Sequence, residues 1–265
     1  IVVRNKNNGN IAYFVWIPRY VYKTDAATET VDAIFVDISN KNINTGKYVS
    51  ASYELPESFT WGDDSNNLTQ LTGFWISKYK LRGNYESKST GIAVQNEAIN
   101  WIKNIRQMEN QGQIMGLSET IDTKTGIATS TANNIDVHMQ KNTEYGTTVL
   151  LGASQYGKQG EGEERYMNKG STAGGTAVQA STTGNVYGVY ELGGIYGWEW
   201  VAGGTGSFLQ TGIAPRYVNQ YTTDSSSDLA GDATVETGNW HGTSGLTNRW
   251  VSNNDPVFQR GISSV

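Results

Sequence analysis

The stretch from Gly184 to Gly203, GNVYGVYELGGIYGWEWVAG, limits the fold more than any other part of the chain. It interleaves six glycines with five tyrosines and tryptophans around Glu191 and Glu199. Glycine weakens the interiors of helices and strands, whereas large aromatic rings seek burial. A segment carrying both suits short strands and tight turns whose backbones approach closely and whose rings supply the core. The bias extends to the whole chain, which holds 31 glycines, 15 tyrosines and 8 tryptophans in 265 residues. Many short strands with few helices are expected.

Several function classes drop out early. The net charge of −5, without a Lys/Arg cluster, argues against nucleic acid and against an anionic membrane surface. The longest apolar run, Ile11 to Ile17, has seven residues, far short of the roughly 20 a membrane helix needs. Cysteine is absent, which removes disulfides, thiolate metal sites and thiol nucleophiles.

Residues 1–12 read as a polar lead-in from an upstream region, and 13–265 as a single domain. IAYFVWIPRYVYK alternates as a strand through Tyr22, and VDAIFVDI (31–38) is a second strand whose partner is sought in KYVSASYEL, beyond the Asn-rich loop at 39–46. LTGFWISKYKLRG repeats the Trp-Ile-x-basic-Tyr pattern of Trp16 to Tyr20. Two like strands of one sheet account for that repeat, with Trp75, Ser77 and Tyr79 on one face and Ile76 and Lys78 on the other.

Two helices are expected. One carries Ala98, Trp101, Ile102, Ile105 and Met108 behind an Asn96 cap. The other runs from Val137 to about Leu151, capped by Asp136 and stopped by Gly152, with Met139, Tyr145, Val149 and Leu150 on its apolar side. Gly146 and the two threonines after it fit that helix poorly. Residues 115–134 read as a long loop. The class is α+β, with two helices, short antiparallel sheets and extensive loops.

HMQKNTEYGTTVLLGASQYG and STTGNVYGVYELGGIYGWEWVAG resemble bacterial and prophage proteins with a C-type-lectin-like domain, in the branch of the formylglycine-generating enzyme and sulfatase-modifying factors. That wider group includes variable proteins of diversity-generating retroelements. The matching positions are Thr143, Glu144 and Tyr145, then Asn185, Val186, Gly188, Val189, Tyr190, Glu191, Leu192, Gly194, Glu199 and Trp200. WIPRYVYK, GFWISKYKL, GDATVET and the terminal DPVFQRG add shorter matches. Two departures stand out: the chain ends RGISSV where relatives continue into a final strand, and the branch's oxidases need a cysteine pair.

The resemblance implies that the Glu199 segment is a central strand under a loop-rich cap. Glu199, Trp198, Trp200 and Asn185 are then structural, with Glu199 holding backbone amides or an arginine. It also implies a binding face in the loops of 205–256. The candidate contacts are Tyr217, Asn239, Trp240, His241, Asn248, Trp250, Asn253 and Asn254. Exposed aromatics among small polar groups give contact area at low entropic cost, although Trp240 and Trp250 are equally well suited to the core.

No cofactor is expected, and no catalytic residue stands out. The alternatives considered are a calcium loop at Asp224, Asp228 and Asp232, and a mixed metal site of His241 with Asp232 and Glu236. His138 is expected to make a local polar contact near a helix start. The expected function is non-enzymatic recognition or display on a bacterial or phage surface, toward a protein or glycan of another cell or host. The alternatives are a structural subunit of a surface filament or phage tail, self-assembling as a homo-oligomer, and then an enzyme of the same fold.

Overall fold

The computed structural model describes residues 1–4, 11–78, 120–121, 128–132, 135–158, 181–190, 192, 199–205, 215–221, 229–234, 236–237, 240, 250–251 and 257–260. Within them the protein is mixed α and β, with short, mostly antiparallel sheets and one α-helix. The expected helix over 96–108 lies outside the described residues, as do Tyr79 and Trp198.

The first sheet orders β1 (Val2–Arg4), β2 (Ile11–Pro18) and β7 (Gly73–Ser77), all antiparallel. The repeated tryptophan motifs are indeed two strands of one sheet, and Trp16 and Trp75 face each other in register. Val15, Ile17, Phe74 and Ile76 point the other way, into the core. The lead-in expected over 1–12 thus contains a strand of this sheet, consistent with its β-branched Val2 and Val3.

β3 (Tyr20–Asp25) and β4 (Thr30–Phe35) form a hairpin. Its turn is held by the Asp25 carboxylate, which accepts the Ala27 N–H at 2.8 Å, and by Glu29 at a φ of +52°. Thus Thr30–Phe35 pairs with the strand before it, not with KYVSASYEL, which contributes isolated bridges from Glu54 to Tyr22 and from Tyr48 to Lys41. Between β2 and β3, Arg19 is buried and its guanidinium donates to the carbonyls of Phe59 and Leu71, both at 3.2 Å. β5 (Thr60–Trp61) and β6 (Thr69–Gln70) pair beside it.

The long loop expected over 115–134 contains two strands, β8 (Thr120–Ile121) and β9 (Ala128–Ala132), the latter pairing with β10 (Ile135–His138). The helix therefore begins five residues later than expected, as α1 (Asn142–Gly152). Alternation of Ile135, Val137 and Met139 with polar residues is a strand signal, which overrides Asp136 as a cap. Glu144 makes the real N-terminus, its Oε2 accepting the Lys141 N–H at 2.8 Å.

Ten of the eleven α1 residues are buried, so no polar face exists to give the helix a clear periodicity. Gly146 explains the awkward middle: a Cβ there would collide with the Asp232 backbone. Tyr145, Val149 and Leu150 join Tyr20, Tyr22, Phe59, Val201, Trp240 and Phe258 in the core.

The last sheet orders β12 (Asn219–Tyr221), β11 (Glu199–Thr205), β14 (Val257–Arg260) and β13 (Trp250–Val251). β11 is an inner strand, parallel to β12 and antiparallel to β14, with Glu199 opposite Arg260 in register. Among the described residues, no helix is long and apolar enough to cross a membrane.

Candidate functional site

A groove of about 300 Å³ runs along β7, between the first sheet and the segment joining β10 to α1. Trp16, Trp61, Leu71, Phe74 and Trp75 give it apolar walls, while Asp136, His138, Gln140 and Glu144 bring polar groups. The indoles of Trp16 and Trp75 lie 5.0 Å apart between ring centres, tilted at 57°. They are 37% and 43% exposed. Gly73 makes this possible, because at its φ of +155° a Cβ would strike the Trp16 indole and the Ile17 carbonyl.

Behind the walls His138 is clamped. Its Nδ1 lies 2.5 Å from Asp136 Oδ1 and its Nε2 lies 3.1 Å from Glu144 Oε1. Burial alone would lower the imidazole pKa, but the Glu144 charge and hydrogen bonds to both carboxylates outweigh it and push the value up to about 9. Burial likewise opposes ionisation of Glu144, and the His138 charge overcomes it, so the Glu144 pKa is lowered. The Tyr217 hydroxyl donates to Asp136 Oδ2 at 2.9 Å. Trp61 packs on the imidazole with ring centres 5.1 Å apart. His138 makes local polar contacts, as expected of it, with both ring nitrogens engaged by carboxylates.

Gln140 is different. It is 4% exposed, yet neither its Oε1 nor its Nε2 meets a hydrogen-bond partner among the described residues. Its place is fixed through the backbone, where its carbonyl accepts the Ala202 N–H of β11 at 2.8 Å. Neither Gln140 nor the Trp16–Trp75 pair figured among the expected contacts, although the paired motifs carried the signal for the tryptophans.

The expected site residues separate. Tyr217 stands behind the groove as the partner of Asp136. Trp240 is corrected: at 1% exposure it belongs to the core, so its indole offers no exposed contact face. Asn239, His241, Asn248, Asn253 and Asn254 lie outside the described residues, as do the side chains of Trp250, Glu199 and Trp200. Asn185 fits a structural role, its Oδ1 accepting the Tyr187 N–H at 2.8 Å and the Thr183 hydroxyl at 2.9 Å.

Asp232, weighed as a calcium or mixed-metal ligand, is engaged by the chain's own groups. It is fully buried, and its carboxylate accepts the Tyr221 hydroxyl at 3.0 Å and the Thr234 N–H at 2.8 Å. Arg260 reaches its carbonyl at 2.9 Å and Asn142 Oδ1 at 2.5 Å. Asp224 and Asp228 lie outside the described residues. Glu236 lines a second cavity of about 570 Å³ with Tyr22 and Glu54. Its Oε1 accepts the Tyr22 hydroxyl at 2.6 Å and the Gly231 N–H at 2.7 Å, and burial raises its pKa. Among the described residues, no group of three or more His, Asp or Glu side chains is arranged to hold a metal ion.

The fold and groove define a mixed α and β protein with an open, tryptophan-walled site. No protein-family model, no curated protein and no solved structure matches the chain.

Proposed function

We propose that this protein is a non-enzymatic recognition module, built on the C-type-lectin-like scaffold its sequence resembles and displayed on a bacterial or phage surface. The groove between Trp16, Trp75 and Gln140 is its ligand site, backed by Tyr217 from the 205–256 region. The observation that carries this reading is the division of labour around the groove. Its titratable groups are bonded to one another, while Trp16 and Trp75 stay partly exposed and the Gln140 carboxamide, buried in the lining, meets no hydrogen-bond partner among the described residues. A catalytic site needs the reverse, a titratable group free to exchange a proton with the substrate. Apolar walls with a few polar groups set among them are the ordinary makeup of a ligand site.

The test applies labelled protein to arrays of glycans and of peptides. Saturable binding to one class, lost in Trp75→Ala with little change in Tm, supports the reading. Folded protein that binds neither array, or whose binding is indifferent to Trp75, contradicts it.

A further inference from the structure

The inference rests on the recognition reading and names the chemistry of the ligand. From the geometry we propose that the groove takes a neutral saccharide ring, without calcium. Adjacent hydroxyls bond the Gln140 carboxamide, and the ring's C–H face packs on Trp16 and Trp75.

Three observations converge. A buried primary amide with both ends unpaired is unfavourable unless a partner arrives, and this one lies in the lining of an open groove. Its carbonyl and NH₂ sit side by side, one accepting and one donating. Vicinal hydroxyls match that pair, since each can do either.

The walls choose the ring's shape. A flat base held between two indoles needs parallel faces roughly 7 Å apart, twice the contact distance of carbon atoms. Trp16 and Trp75 are 5.0 Å apart and tilted at 57°, so nothing flat fits between them. Their tilted faces instead suit a puckered ring lying across both. A groove of about 300 Å³ is at the small end of ligand sites, with room for a single ring and its substituents.

Charge chooses the class of sugar. Asp136 and Glu144 are bridged by one imidazolium. Lys141, whose Nζ lies 5.1 Å from the centre of the Trp61 wall, offsets the second carboxylate. The groove lining therefore offers no surplus cation to hold an acidic or phosphorylated ligand, whereas a neutral sugar needs none.

Saturation-transfer NMR on the full chain tests this with methyl glycosides of glucose, galactose, mannose and N-acetylglucosamine. Sialic acid, adenosine and N-acetylglycinamide serve as parallel probes, each with and without EDTA. The expected result is saturable transfer to at least one neutral glycoside, unchanged by EDTA and strongest at ring C–H protons. Gln140→Met and Trp75→Ala should each weaken it at least tenfold while remaining folded.

Transfer only to adenosine, the peptide amide or sialic acid overturns the proposal. So does loss of transfer in EDTA, or undiminished binding by Gln140→Met. If saccharides fail while Trp75-dependent binding to the peptide array persists, the saccharide assignment falls and the recognition reading stands. Failure of every probe and of both arrays removes both.

Discussion

Two polar regions flank the same helix, and they are organised in opposite ways. Around Asp232, Asn142, Tyr221 and Arg260, buried polar groups bond to one another across α1, β12, β14 and the 231–234 turn. Around Gln140, two residues before the helix, a buried amide without a hydrogen-bond partner among the described residues lies in the lining of a groove walled by partly exposed indoles. The first region couples distant parts of the chain, and apart from Arg260 Nε the groups named there contribute by being satisfied. The second keeps a local cost that only a ligand removes. A polar residue in a Gly-rich, aromatic-rich fold therefore reveals its role by whether its partners lie within the chain.

That contrast can be broken most forcefully at the helix. Gly146→Ala drives a Cβ into the Asp232 backbone and should cost about 3 kcal/mol or more, measured by urea unfolding. A neutral result would mean that α1 does not press on that turn. Asp232→Ala removes the acceptor for Tyr221 and Thr234 and should cost about 2–3 kcal/mol, with calcium unable to alter the Tm of either protein through this residue.

The His138 clamp sharpens the comparison through pH. Its folded pKa of about 9 lies above the unfolded value near 6.5, so folding binds the proton more tightly. The stabilisation is complete below about pH 6.5 and fades as the pH rises through about 9, for a loss of at most about 3 kcal/mol. Glu144, with a lowered pKa, gives its share up at the acid end, as the pH falls through its folded value. Melting curves of His138→Gln should lose most of the decline between pH 7 and 9. An unchanged slope would show that the clamp does not form. Smaller still, Trp75→Ala should cost about 1 kcal/mol, because the side chain is 43% exposed.

How much of this was readable from the chain depends on the range of the interaction. The strand 11–18 and its echo at 73–77 could be read because alternation is local, and the echo even predicted their sharing a sheet. The end of α1 at Gly152 was marked in the same local way. Its start was not, because Asp136 imitates a cap while serving as a strand residue that holds His138. The threonine-rich β9 read as loop, since its pairing with β10 lies in backbone geometry that composition does not record.

At the site, Trp240 carried no local sign of burial, its neighbours being set by folding at long range. Gln140 offered still less. A glutamine beside a helix is ordinary until its surroundings are known to supply it with no partner.

The central claim is that the Gln140 carboxamide is kept for a ligand and does nothing for the fold. Thermal unfolding of Gln140→Met, which keeps the side chain's length and drops its polar ends, tests this most directly. The account predicts a stability equal to the parent or higher by about 1 kcal/mol. A loss of about 2 kcal/mol or more would place the amide among the protein's own hydrogen bonds and contradict it.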